Sequence, residues 1–196
     1  MRMIKTPDIY QIKIELAIVS PTVWRRLEVP NDLFLHDLHK VIQTSMGWEN
    51  AHLHQFLKNE RIFGIADDEP ELSDRFMDYT SIRLMDLLKK KGDSMQYIYD
   101  FGDYWQHEII LEGIHAPDKS HYYPICTAGE RNCPPEDCGG PSGYQEMLKV
   151  LNHPGHPDRE ALIDWLDEDW EPEEFDLDYT NNLLLEDDFG CLPMIE

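Results

Sequence analysis

His52 and His54 stand two residues apart in an apolar, alternating stretch, and His107 stands two residues after Trp105 in another. On an extended chain such pairs point the same way, so each shares a face. If the two stretches neighbour each other in a sheet, three imidazoles converge with the carboxylates of Asp100 and Asp103. Three histidines, or two with a carboxylate, make a divalent-metal set that can activate water for hydrolysis. A second set is His121, Cys126, Cys133 and Cys138, on a Pro- and Gly-rich stretch. Those thiolate and imidazole donors suit a closed structural zinc site. Its spacing lacks the paired-cysteine knuckle of standard fingers, and unpaired cysteines serve equally as small buried hydrophobes. Third, Glu136 and Asp137 sit inside Cys133-Pro134-Pro135-Glu136-Asp137-Cys138-Gly139-Gly140. A stiff Pro-Pro lead either holds these acids for catalysis or cation binding, or leaves Asp137 to close a turn through backbone N–H groups.

Other chemistries lack essential parts. Asp100-Phe101-Gly102-Asp103 spells the Mg-binding triplet of protein kinases, yet no glycine-rich loop, strand lysine or His-Arg-Asp loop accompanies it. It reads as a hairpin turn. Gly139-Gly140 with Ser142-Gly143 has no Lys-Ser/Thr partner, so it is no phosphate loop. Trp24-Arg25-Arg26 reads as a stacked, salt-bridged strand surface.

The elements that must position these residues follow from the hydropathy pattern. Strands are expected at Ile9–Val19, Trp24–Val29, Ala51–Lys58, Ser94–Asp100 and Tyr104–Glu112. Helices are expected at Leu33–Met46, Ile82–Leu88, Ser142–Leu151 and Asp158–Leu166, with an acidic loop at Asp67–Asp78. This mixture predicts an α+β fold: a mixed, mostly antiparallel sheet with helices packed on one face.

Charge divides the chain further. Its 196 residues hold 17 Lys and Arg against 39 Asp and Glu, a net charge of −22. Phosphate neutralisation needs a cationic face, so a dedicated nucleic-acid binder is disfavoured. No apolar run reaches the roughly 18 residues of a membrane span, and the first residues lack the apolar block of a signal peptide. A cytoplasmic protein with reduced cysteines is expected. Residues 158–196 carry fifteen acidic residues and one basic residue, Arg159. They also hold Trp165, Trp170, Phe175 and Leu183 to Leu185, so this acidic segment should wrap and dock on the 1–157 body.

Eight ordered motifs carry a family resemblance. They are Tyr10-Gln11-Ile12-Lys13-Ile14, Pro21-Thr22-Val23-Trp24-Arg25-Arg26, Phe34-Leu35-His36-Asp37-Leu38-His39 and Gly47-Trp48-Glu49-Asn50-Ala51-His52-Leu53-His54. Then come Tyr97 to His107, Tyr123-Pro124-Ile125-Cys126, Cys133 to Gly140, and Gly143-Tyr144. Together they resemble the plasmid pRi ORF-three-like family, first noted on a root-inducing plasmid. Some relatives are labelled as insertion-element passengers with a resolvase-like name, which implies a nucleic-acid-associated accessory protein of mobile elements. Serine resolvases need a nucleophilic serine among clustered arginines; Ser20, Ser45, Ser73, Ser81, Ser94, Ser120 and Ser142 include none.

The leading expectation is thus a non-enzymatic module that binds a protein partner, since no nucleophile–base pair, phosphate loop or dinucleotide fingerprint is present. The alternative is a metal-dependent hydrolase built on the His/Asp cluster.

Overall fold

The computed structural model describes residues 6–65, 74–166 and 170–194. One eight-stranded sheet runs through it, with strands β1 (Ile9–Leu16), β2 (Trp24–Pro30), β3 (His54–Lys58), β4 (Arg61–Gly64), β5 (Phe76–Asp78), β6 (Ser94–Tyr99), β7 (Trp105–His115) and β8 (Ile125–Glu130). Their order across the sheet is β5-β4-β3-β6-β7-β1-β2-β8. Every neighbouring pair is antiparallel except β4–β5. The helices are α1 (Leu35–Met46), α2 (Leu84–Leu87), α3 (Gly140–Leu151), α4 (Arg159–Trp165) and α5 (Leu177–Leu183). The protein is α+β, as the alternation of the sequence requires.

The two faces of the sheet separate by chemistry. Ile12, Ile14 and Leu16 of β1 are buried while Gln11, Lys13 and Glu15 stay partly exposed. On β7, Trp105, His107, Ile109 and Leu111 share the buried face. Against that face α1 lays Leu35, Leu38, Val41, Ile42 and Met46, and Gly47 ends the helix at φ 90°. A residue with a Cβ is strained at such an angle, which is why the chain turns there. The opposite face is polar: Arg26 pairs with Glu112 at 2.6 Å and lies 5.1 Å over the Trp24 ring.

Three strands had no counterpart among the expected elements. β4 and β8 are short and lack clean alternation, and β5 emerges at the end of the expected acidic loop, of which residues 67–73 lie outside the described residues. A further departure matters more. The third strand begins at His54 rather than Ala51, so His52 lies in the loop before it.

The acidic segment reaches the body at several points. Asn181 of α5 accepts the Cys126 N–H at 2.8 Å and donates to the Cys126 carbonyl at 2.9 Å, closing the outer edge of β8 as a neighbouring strand would. Phe175 lies 3.8 Å over the guanidinium of Arg25, a side chain buried at 1% exposure. Trp170 donates its indole N–H to the Cys133 carbonyl.

Candidate functional site

The site forms where the ladder between β3 and β6 runs out. Tyr99 pairs with His54, and one step further the Asp100 N–H donates to the Leu53 carbonyl at 2.9 Å. That bond brings the loop before β3 beside the turn after β6, and so His52 beside Asp100. Asp100 takes φ 57°, in the left-handed region, and its Oδ1 accepts the Gly102 N–H at 2.8 Å. A short Asp tolerates that backbone because its carboxylate can bond locally.

The loop of residues 131–139 closes over this corner. Trp48 donates to the Pro134 carbonyl at 3.0 Å and stacks on Tyr99, ring centroids 4.8 Å apart. Asp103 accepts the Gly139 N–H at 3.2 Å. Gly140, at φ 66°, approaches so closely that a Cβ there would sit 2.5 Å from the Asp103 carbonyl oxygen. Only glycine permits that contact, and the contact delivers Glu136 and Asp137 to His52.

The resulting cluster is compact. Nε2 of His52 lies 3.4 Å from Oδ1 of Asp137, 3.6 Å from Oε2 of Glu136 and 3.9 Å from Oδ2 of Asp100. Among the described residues, His52, Asp100 and Asp137 are the only set of His, Cys, Asp and Glu with three ligand atoms all within 4.8 Å of one another. Asp100 is buried, His52 half-buried and Asp137 exposed, so the cluster opens to solvent on one side. Glu136 is held differently. Its Oε1 accepts the Tyr99 hydroxyl at 2.9 Å and the Glu49 N–H at 3.0 Å, while Oε2 is buried without a hydrogen-bond partner. Burial pushes the Glu136 carboxyl above the usual carboxylate range, against the pull of those two bonds. Nε2 of His52 is likewise buried and without a partner.

The other residues singled out by sequence go elsewhere. With His52 off the strand, His52 and His54 are not held on one strand face. His54 turns inward, bonding the Tyr79 hydroxyl at 2.6 Å and stacking on His39 with centroids 3.4 Å apart. Burial holds its pKa down at about 2. His107 is fully buried between Trp48 and Tyr97, its pKa lowered by desolvation to about 4. Asp103 serves the loop through Gly139 rather than the cluster. Nor do His121, Cys126, Cys133 and Cys138 assemble: no three of them bring ligand atoms within 4.8 Å. Cys126 faces the core from β8 beside Arg25, whereas His121 is exposed and 3.9 Å from Asp118. All four cysteines are free, and burial raises the thiol of Cys126 to about 11 and that of Cys138 to about 12. Tyr99 and Trp48, which hold the site in place, carry no site signal in the sequence, because aromatic residues in a strand and after a helix read as core.

The matched family is described as plasmid pRiA4b ORF-3-like protein, and the match spans residues 8–179. The chain belongs to the plasmid pRiA4b ORF-3-like family. An uncharacterised protein of Sinorhizobium fredii, y4hQ, is 37% identical over 159 residues, covering 81% of this chain and 80% of that protein. The crystal structure of a protein of unknown function from Methanosarcina mazei Go1 superposes with a TM-score of 0.80 at 36% identity, covering 88% of this chain and 97% of that one. The matched span of the plasmid pRiA4b ORF-3-like fold includes every residue of the His52 cluster and the loop that closes on it.

Proposed function

We propose that this protein is a metal-dependent hydrolase whose divalent cation is held by His52, Asp100 and Asp137. One observation carries the reading: the His52 imidazole nitrogen stands 3.4, 3.6 and 3.9 Å from oxygens of Asp137, Glu136 and Asp100 without hydrogen-bonding any of them, and ligand atoms of His52, Asp100 and Asp137 lie within 4.8 Å of one another. Such separations are too long for N–H···O bonds. They match the edge of a coordination shell, since donors bound at about 2.0–2.2 Å in tetrahedral geometry stand roughly 3.4 Å apart. Three carboxylates gathered around one imidazole nitrogen also offer the oxygen and nitrogen donors that a divalent cation takes.

Three protein donors leave an open position, the arrangement of catalytic rather than structural metal sites. A cation there supplies Lewis acidity and an activated water. Glu136 then has a task of its own. Its Oε1 is anchored by Tyr99 and the Glu49 N–H, which aims the unpartnered Oε2 at the cluster as a proton acceptor.

Elemental analysis of the purified protein tests this. About one divalent ion per chain is expected, and Asp100→Asn and His52→Ala should each weaken its binding by at least about tenfold. Turnover of an activated ester or phosphodiester should vanish with chelator and return with metal. Protein that takes up no divalent ion after chelation and reloading overturns the reading.

A protein-interaction role draws on a separate observation. Leu53, Ile65, Phe101 and Met194 are each 40–56% exposed and line a common groove of about 180 Å³ next to His52 and Asp100. Exposed apolar clusters of this kind mark partner contacts, and here the partner would be a protein brought up to the metal corner.

A further inference from the structure

On its other side, Glu136 borders a cavity of about 230 Å³. Trp48, Trp165, Trp170, Pro134 and Pro135 line it, together with the polar Asn132, Glu49 and Glu136. The indole N–H groups of Trp48 and Trp170 are already bonded to the carbonyls of Pro134 and Cys133. These two rings therefore offer a ligand π-faces and edges rather than donors. Among the described residues no Lys or Arg lines the cavity. Glu49 and Glu136 stand together at this end, tied by the Glu49 N–H that donates to Oε1 of Glu136 at 3.0 Å. A cavity with aromatic walls, two acids and no cation is complementary to one class of ligand. Positive charge spread over methyl groups is attracted by ring quadrupoles and by carboxylates together, without requiring a hydrogen-bond acceptor.

We propose that this aromatic cavity receives a methylated or quaternary ammonium group, borne either by a small amine or by a lysine side chain. The inference deepens the hydrolase reading by giving the charge class of the substrate. It rests on that reading only for the statement that the bound ammonium compound is the one turned over. Trp165 is the adaptable wall, with its ring 52% exposed at the end of α4. Trp48 is the fixed one, 5% exposed and stacked on Tyr99. An ammonium group seated between them stands next to Glu136, whose far oxygen faces His52.

Calorimetric titration of the full chain with choline and with 3,3-dimethyl-1-butanol separates charge from shape, because the alcohol replaces the nitrogen by carbon. Choline should bind saturably and at least about tenfold more tightly than the alcohol. Trp165→Ala, a change at an exposed ring, and Glu49→Gln, at an exposed acid, should each remove most of that preference. Equal binding of the two compounds, or a choline affinity that neither substitution changes, overturns the proposal. A peptide carrying trimethyllysine, titrated beside its unmodified form, assigns the source. Tighter binding of the peptide than of choline points to a protein ligand, and the reverse to a small molecule. All titrations are run in chelator and repeated with zinc. Choline binding in chelator without any metal uptake retains the cavity and removes the hydrolase; metal uptake with no preference for choline does the opposite.

Discussion

Tyr97 organises the buried polar residues beneath the site. Its hydroxyl accepts from Gln43 at 2.9 Å and so donates to Nδ1 of His39 at 2.8 Å, leaving Nε2–H of His39 to donate to Oδ1 of Asn50 at 2.9 Å. One neutral tautomer satisfies every partner, and a second proton has nowhere to go. Desolvation accordingly lowers His39 to about 4, and it lowers His107 to about 4 as well. In the unfolded chain both titrate near 6.5. The unfolded state thus takes up protons that the folded state refuses, and stability is full above about pH 6.5 and lost as pH falls toward 4. Each histidine should contribute a slope of up to about 1.4 kcal/mol per pH unit. Urea unfolding at about pH 7.5 and about pH 5 measures it. His39→Gln should remove only its own share of the slope, since His107 and His54, whose pKa burial lowers to about 2, still contribute theirs; a stability that stays level over this window would show that these histidines are hydrated when protonated.

At the level of elements, the turn between β6 and β7 and the start of α3 act as one unit. Their contact is backbone on backbone, Gly140 against the Asp103 carbonyl, with the Asp103 side chain closing on the Gly139 N–H. Gly140→Ala forces a Cβ to within 2.5 Å of that oxygen and a side chain onto φ 66°. The chain can relieve both only by lifting the 131–139 loop away from the turn. A loss of about 1–3 kcal/mol is expected, together with weaker metal binding, because Glu136 and Asp137 travel with the loop. Thermal unfolding and metal titration of the variant would separate the two effects. A destabilised protein with unchanged metal affinity would mean that the acids reach His52 by another support.

The whole molecule carries a net charge of −22, and the segment from residue 158 holds much of the excess. Its carboxylates repel one another, yet the segment is anchored. Phe175 covers Arg25, whose guanidinium hydrogen-bonds, among the described residues, the carbonyls of Ser45, Trp24 and Glu130. Leu184 is 3% exposed, and Asn50 donates to the Leu192 carbonyl at 2.9 Å. Trp165 and Leu185 remain exposed instead of joining this contact. Burying one large apolar side chain is worth roughly 1.5–3 kcal/mol, whereas two exposed charges about 4 Å apart repel by about 1 kcal/mol in water. Docking wins, and moderate salt should raise the melting temperature by screening what opposes it. Truncation after Asp158 should strip Phe175 from Arg25, open the β8 edge and cause aggregation, as light scattering on heating would report. A soluble truncated chain with the same melting temperature would make the segment energetically idle.

Much of this architecture was legible in the chain. Alternation from Tyr10 to Leu16 announces a half-buried strand, though the pattern runs on to Ile18, which turns out at φ 65° and is exposed; the 3.6-residue spacing of Leu35, Leu38 and Ile42 announces a helix on its inner face, and Tyr97 to Trp105 announces a hairpin. Those signals are local, and local periodicity governs which face of an element is apolar. His52, Asp100, Glu136 and Asp137 are each recognisable as chemistry-bearing residues too, and the expected meeting of His52 with Asp100 occurs. His54, His107 and Asp103 go elsewhere, and Glu136 and Asp137, which read as a separate pair, take their place. Two facts with no local signature regrouped them. The third strand starts at His54, because the Asp100 N–H to Leu53 carbonyl bond extends the ladder only up to the loop. Gly140 then lets two backbones approach to a distance that any Cβ forbids. Spacing along a chain sets the direction of a side chain within its element; which loops meet is decided by packing between elements far apart in sequence.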